Sequence, residues 1–194
     1  MRFDYAPGAT PLDQDAIAGL IPDLQTQGEL NAWEAANIAQ ALLSWKRSRG
    51  PHREILNVTA LRKLHEFMFA DTWKWAGKFR HTDTNIGLPW QQVTEATGNL
   101  CENVRYQIER TVYPWDELAT RFHHQLVLIH PFPNGNGRHS RLATDFLLQR
   151  HEKLPFTWGS TSLARDGTAR KEYLAALREA DEGEIERLLR FARN

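Results

Sequence analysis

Between His130 and Arg141 the chain sets one imidazole, two glycines alternating with asparagines and two guanidinium groups: His130, Pro131, Phe132, Pro133, Asn134, Gly135, Asn136, Gly137, Arg138, His139, Ser140, Arg141. An imidazole titrates near neutrality and can take a proton from an attacking hydroxyl. Gly135 and Gly137 permit positive φ, so that successive backbone N–H groups can converge on an anion. Asn136 suits the N-cap of a following helix, whose free amides and dipole add positive potential at the same spot. Arg138 and Arg141, three apart on that helix, share a face and can fork onto phosphate oxygens. A base beside a polyphosphate cradle describes a phosphoryl- or nucleotidyl-transfer site, where orientation and charge stabilisation carry most of the catalysis. Taken singly, each residue also fits a plain interhelical turn with a buried histidine and solvated arginines; their joint spacing favours the cradle.

The elements that must position these groups are helical. Leu118, Phe122, Leu126 and Ile129 form an apolar stripe opened by Pro114, and that helix delivers His130. Pro131 and Pro133 stop it, because proline lacks an amide donor and restricts the residue before it. Leu142, Phe146 and Leu147 continue on the far side of the loop. Upstream, Leu30, Trp33, Ala36, Asn37, Ala41 and Trp45 mark a stripe that ends at Arg49, Gly50 and Pro51, and Asn57 or Thr59 caps a helix with the face Leu61, Leu64, Phe67 and Met68. A further helix runs from about Val93 to Glu109. Pro155 to Gly159 break the pattern, a helix begins near Lys171, and Glu182 and Gly183 interrupt it before Ile185, Leu188, Leu189 and Phe191. Residues 81–90 lack a helical period and carry β-formers around Asn85 and Gly87, which predicts a short hairpin.

His-Pro-Phe-x-x-Gly-Asn-Gly-Arg-x-x-Arg resembles the signature of the Fic family, an α-helical fold whose members mostly transfer AMP from ATP to a protein hydroxyl. The resemblance implies that His130 is the general base and that Phe132 anchors the loop in the core. It implies that Gly135, Asn136 and Gly137 form the anion hole around the α- and β-phosphates, and that Arg138 and Arg141 hold the phosphate chain. The Trp75-Ala76-Gly77-x-x-Arg80 and Asn85-Ile86-Gly87 elements are also similar to family members. By that likeness Thr84, Asn85, Ile86 and Gly87 are the hairpin flap that lines up a target peptide by strand addition.

The family usually has Asp or Glu where this chain has Asn134, and that carboxylate helps hold Mg²⁺. A hard cation prefers charged oxygens, although an amide carbonyl can coordinate and nucleotide phosphates supply much of the shell. A kinase-type toxin branch has Lys where Gly137 stands, so glycine favours nucleotidyl transfer. Many relatives restrain themselves with a helix bearing Ser/Thr-x-x-x-Glu-Gly/Asn, whose Glu pairs with the second motif arginine. Neither Glu34 nor Glu182 matches that pattern, and Glu34, on an early helix laid across the site, is the better candidate. The layout resembles the branch called mobile mystery protein B.

Lys+Arg and Asp+Glu both number 24, a balance that argues against a broad nucleic-acid or anionic-membrane footprint. Cys101 is the only cysteine, which rules out an intramolecular disulfide and suits a reducing cytosol. With no apolar window long enough to span a bilayer, the expectation is a soluble cytoplasmic protein. His123, His124 and His139 lack the spacing of a zinc site. The chain is therefore expected to be a single, mainly helical domain over 1–194: a short arm (1 to about 22) and helix within 1–50, then a core over 51–194 with a β-hairpin flap near the active site. Expected ligands are ATP and Mg²⁺. The expected partner is a protein bearing a Ser, Thr or Tyr hydroxyl, with self-modification, a homo-oligomer or an antitoxin-like regulator as further partnerships. A catalytically weak nucleotide-binding module, and a kinase that leaves phosphate alone on its target, stand as alternatives.

Overall fold

The computed structural model describes residues 14–47, 54–159 and 167–194. The stop at Arg49 to Pro51 and the first thirteen residues of the expected arm lie outside the described residues. Helices run over Gln14–Ala18 (α1), Gln27–Arg47 (α2), Val58–Phe69 (α3), Val93–Glu109 (α4), Trp115–Ile129 (α5), Asn136–Arg150 (α6), Gly167–Asp181 (α7) and Glu186–Arg193 (α8). Local chemistry accounts for several of these ends. The Asn57 side chain accepts from the Thr59 amide and starts α3. Pro114 precedes α5, where its missing amide costs nothing, and α5 stops when His130 enters the left-handed region at φ 53°.

α5 packs on α6 and α4, α3 on α2 and α6, and α7 pairs with α8. The main core is built from the buried faces of α2 to α6, with Trp73 in its midst, and a smaller cluster joins Tyr173, Ala176, Ile185, Leu188 and Phe191 of α7 and α8. Cys101 is buried in the main core, and burial pushes its thiol up to about 11, as befits an inert core residue.

Two expected faces form but differ at particular positions. On α2, Leu30, Glu34, Ala41 and Trp45 are buried, whereas Trp33 is exposed and only its indole N–H reaches the Asp71 carbonyl, at 3.3 Å. The chain buries a glutamate on that face because polar partners wait for it there. On α3 the buried stripe passes through His65 and Phe69, and Phe67 lies at its half-buried margin.

Residues 81–88 run as bends, and no strand forms among the described residues; the one bridge pairs Leu20 with Trp73. The expected β-hairpin is therefore not formed as a strand pair here. The guanidinium of Arg80 takes up the carbonyls of Thr82 and Leu88, groups that cross-strand amides would otherwise engage.

Candidate active site

Helix α5, the loop 130–135 and helix α6 form one unit, closed by Asn136. The Phe132 amide donates to Asn136 Oδ1 at 2.9 Å, and Asn136 Nδ2 donates to the Phe132 carbonyl at 2.7 Å. Asn136 is thus the first residue of α6 and the clasp of its own loop, while the N-cap position falls to Gly135 at φ 79°. The expected N-cap role is corrected by this pairing: a side chain bound on both edges to Phe132 has nothing left for the helix amides. A Cβ on Gly135 would stand 2.6 Å from the Phe69 ring, so close packing as well as positive φ selects glycine.

Phe132 is fully buried, with the His65 ring stacked on it at 3.8 Å and His139 edge-on at 4.9 Å. It anchors the loop as expected of it. His139 bonds the Leu61 carbonyl at 2.9 Å and ties α6 to α3. The α6 ladder begins with the His139 amide on the Gly135 carbonyl, so the amides of Asn136, Gly137 and Arg138 precede it at the positive end of the helix. Gly137 keeps an ordinary helical φ, and an added Cβ would meet only Tyr173 Oη at 3.8 Å and Arg141 Nη1 at 4.0 Å. Its missing side chain leaves the helix entrance bare beside a guanidinium, a shape that fits a phosphate group.

The two arginines differ. Arg138 lies over the Phe69 ring at 5.0 Å and its Nη1 meets Glu34 Oε2 at 2.7 Å. Glu34 is 2 % exposed, and its other oxygen accepts from the Trp73 indole at 2.8 Å. Arg141 lies over the Tyr173 ring at 5.5 Å and shares a hydrogen bond with its hydroxyl, which also meets His123 Nε2 at 2.9 Å. Glu34 therefore reaches the motif, but through the first arginine; the second is engaged by Tyr173.

His130 is 5 % exposed. Burial, and then the nearby Arg80 cation, lower its imidazole to about 4, so the ring is neutral at physiological pH and able to accept a proton. Gly87 packs against it: at φ 103°, a Cβ there would fall 2.5 Å from His130 Cβ. In the same bends Thr84 Oγ1 donates to the Ile86 carbonyl at 2.5 Å, while Ile86 itself is exposed. Asn134 stands at the rim, half-buried, its Oδ1 accepting from the Gly135 amide at 2.5 Å. No cluster of three or more His, Cys, Asp or Glu suited to a metal occurs among the described residues. Mg²⁺ would then find one neutral side-chain oxygen at Asn134, and a nucleotide's phosphates would have to complete its shell.

Residues 55–148 match the Fic/DOC family. The chain carries a Fic domain. It is 28% identical over 120 residues, 60% of this chain and 22% of the relative, to protein adenylyltransferase fic-1 of Caenorhabditis elegans. A shorter stretch is 54% identical over 35 residues, 18% of this chain and 6% of the relative, to the uridine 5'-monophosphate transferase of Xanthomonas campestris. The chain spans about a fifth or less of the length of these curated relatives. Its fold is similar to the N-terminal Fic domain, with bound ADP, of a putative cell filamentation protein from Bartonella quintana: TM-score 0.67, 18% identity, 88% of this chain and 86% of that one.

Three supports of the Fic domain's motif escape sequence reasoning. His65 Nδ1 accepts from the Gly77 amide at 3.0 Å, which leaves Nε2–H to donate to the Asn134 carbonyl at 3.0 Å. Burial holds this imidazole well below its usual range. Tyr173 on α7 and Arg80 before the bends are the other two. Polarity within an apolar stripe was the available signal for His65, and position in the Trp-Ala-Gly-x-x-Arg element for Arg80; nothing local marks Tyr173. No helix among the described residues is long and apolar enough to cross a membrane.

Proposed function

We propose that the chain is a protein adenylyltransferase of the Fic type, which moves AMP from ATP to a Ser, Thr or Tyr hydroxyl on a target protein. The observation that carries this reading is the clasp of Asn136 on Phe132, which folds the loop that follows the neutral His130 back onto α6, the helix with the bare entrance at Gly137 that carries Arg138 and Arg141. His130 takes the proton of the target hydroxyl as its oxygen attacks the α-phosphorus. A new P–O ester bond forms, the bond between the α-phosphorus and the bridging oxygen breaks, and pyrophosphate leaves. The amides at Asn136 and Gly137, that of Gly135 once Asn134 Oδ1 releases it, and the two guanidiniums stabilise the charge that builds on the phosphate oxygens. Asn134 is the side chain that would reach Mg²⁺, whose charge would help neutralise the triphosphate when bound. A polyanion beside His130 would raise its basicity from the low value of the free site.

Thr84, Asn85, Ile86 and Gly87 present the target segment, with Gly87 lying against His130. Glu34 is the restraint: while it neutralises Arg138, that arginine is withheld from the phosphates. The fic-1 and uridylyl-transferase likenesses support nucleotidyl transfer as the chemistry and leave adenine against uracil to experiment.

Incubation with radiolabelled ATP, Mg²⁺ and lysate should label a protein band that His130→Ala abolishes; equal labelling by the variant would remove His130 as base. Intact mass after parallel incubations with ATP and UTP identifies the nucleotide. A second reading, a nucleotide-binding regulatory module with little turnover, is favoured by the amide at Asn134 and by the Glu34–Arg138 pair. ATP binding without transfer by wild type, together with transfer by Asn134→Asp, would select it.

A further inference from the structure

Arg80 is 3 % exposed, and its charge is met almost wholly by backbone carbonyls. Its Nε donates to the His130 carbonyl at 2.7 Å, Nη1 to the Thr82 carbonyl at 3.0 Å, and Nη2 to the Leu88 carbonyl and, at 3.4 Å, to that of Ile129. Its own amide donates to the Pro131 carbonyl at 2.9 Å. Two of these acceptors, Ile129 and His130, are the carbonyls left over where the α5 ladder ends, at the negative end of that helix. Two others, Thr82 and Leu88, bracket the bends that carry Thr84 to Gly87. A planar fork with five donors can span both sets at once; an ammonium cannot.

We propose that Arg80 is a positioning residue that clamps the 82–88 segment onto the end of α5, so that one guanidinium holds the target-presenting edge and the base in register. Its significance for transfer rests on the reading of His130 as base and of residues 84–87 as the target edge. Burial does most to keep the imidazole in its proton-accepting form, and the cation that the clamp holds nearby acts in the same direction. The Val127 carbonyl on α5 accepts from the His130 ring, and Asp83 in the bends, largely exposed, lies 3.8 Å from Arg80.

The test compares wild type with Arg80→Lys and Arg80→Met, using amide hydrogen exchange over residues 81–88 and an NMR titration of the His130 ring, assigned by its loss in His130→Ala. Both variants should exchange 82–88 at least tenfold faster, with α4 and α5 unchanged. Only Arg80→Met should move the His130 midpoint, upward by about 1 unit, because Lys keeps the charge. Unaltered exchange over 82–88 in folded Arg80→Lys would overturn the clamp, and that variant decides the matter if Arg80→Met fails to fold. A midpoint unmoved in folded Arg80→Met would overturn the electrostatic half. Both readouts are free of activity, so a His130→Ala protein that still transfers nucleotide would refute the base and leave the clamp standing.

Discussion

Glu34 Oε2 sits 2.7 Å from Arg138 Nη1, across 104 residues of chain, with the Trp73 indole donating to the other carboxylate oxygen. Hydrogen bonds between ionised groups contribute about 1.5–3 kcal/mol. Glu34→Gln keeps an acceptor for Trp73 and removes the charge that holds Arg138. Nucleotide transfer should rise about tenfold or more, since about 1.4 kcal/mol is a factor of ten. Glu34→Ala should also activate, and it should lower the unfolding free energy by about 1–3 kcal/mol because the buried indole N–H loses its acceptor. A turnover assay on both variants checks this; unchanged rates would mean that Glu34 is structural only.

Gly87 and His130 are in contact with no room between them. Gly87→Ala puts a methyl group into that contact and an L side chain at φ 103°. Either the bends or the imidazole must move, and a displacement near 1 Å at a reacting group costs about a hundredfold in rate. Circular dichroism should stay close to wild type and the melting temperature should fall modestly, from the strain at positive φ, while kcat/KM falls far more. A Gly87→Ala enzyme with full kcat/KM would separate the bends from catalysis.

Asn134→Asp supplies the charged oxygen that a hard cation prefers. Isothermal calorimetry with ATP should show Mg²⁺ binding tightened by about tenfold, and turnover at limiting Mg²⁺ should rise with it. Equal Mg²⁺ dependence of the two proteins would place the metal wholly on the phosphates.

The pH dependence of stability follows from buried histidines. His65, His123, His130 and His139 are held neutral by burial, with His123 lowered to about 3 and His130 and His139 to about 4. Their folded pKa values are depressed below 6.5, so the stability they confer is complete above pH 6.5 and is lost as pH falls from there toward 4. Each contributes a slope of about 1.4 kcal/mol per pH unit once the unfolded chain has taken up its proton. Asp145, raised to about 6 by burial, acts oppositely: its folded state takes up a proton first, which adds stability as pH falls below 6. Four groups against one leave a net loss. Urea unfolding at pH 7, 6 and 5 should give steadily falling midpoints, and His139→Gln, which keeps a donor for Leu61, should lessen the decline. Equal midpoints at pH 7 and pH 5 would contradict the neutral-histidine core.

Much of this was legible one residue at a time. Pro114 acts through its own backbone and Asn57 through a side chain that reaches an amide two residues on, and helices α3 and α5 start where those residues dictate. The motif itself, from His130 to Arg141, is local chemistry packed into one loop and one helical turn. Periodicity found Leu30, Ala41 and Trp45 on α2 and Leu61, Leu64 and Met68 on α3, but missed buried Glu34 and His65, because it weighs apolarity and cannot see that Trp73 and Arg138 give a glutamate reason to be buried.

What the chain determined unaided were its helices, its loop and the chemical groups the loop carries, since dihedral preferences and side-chain reach act over a few residues. Tertiary structure alone decided that Asn136 clasps Phe132 instead of capping α6, that Glu34 finds Arg138 while Tyr173 engages Arg141, and that Arg80 ties the 82–88 bends to His130 without a strand pair. Those outcomes are competitions for buried hydrogen-bond partners. The winners come from helices dozens of residues apart, and their proximity exists only once the core has closed.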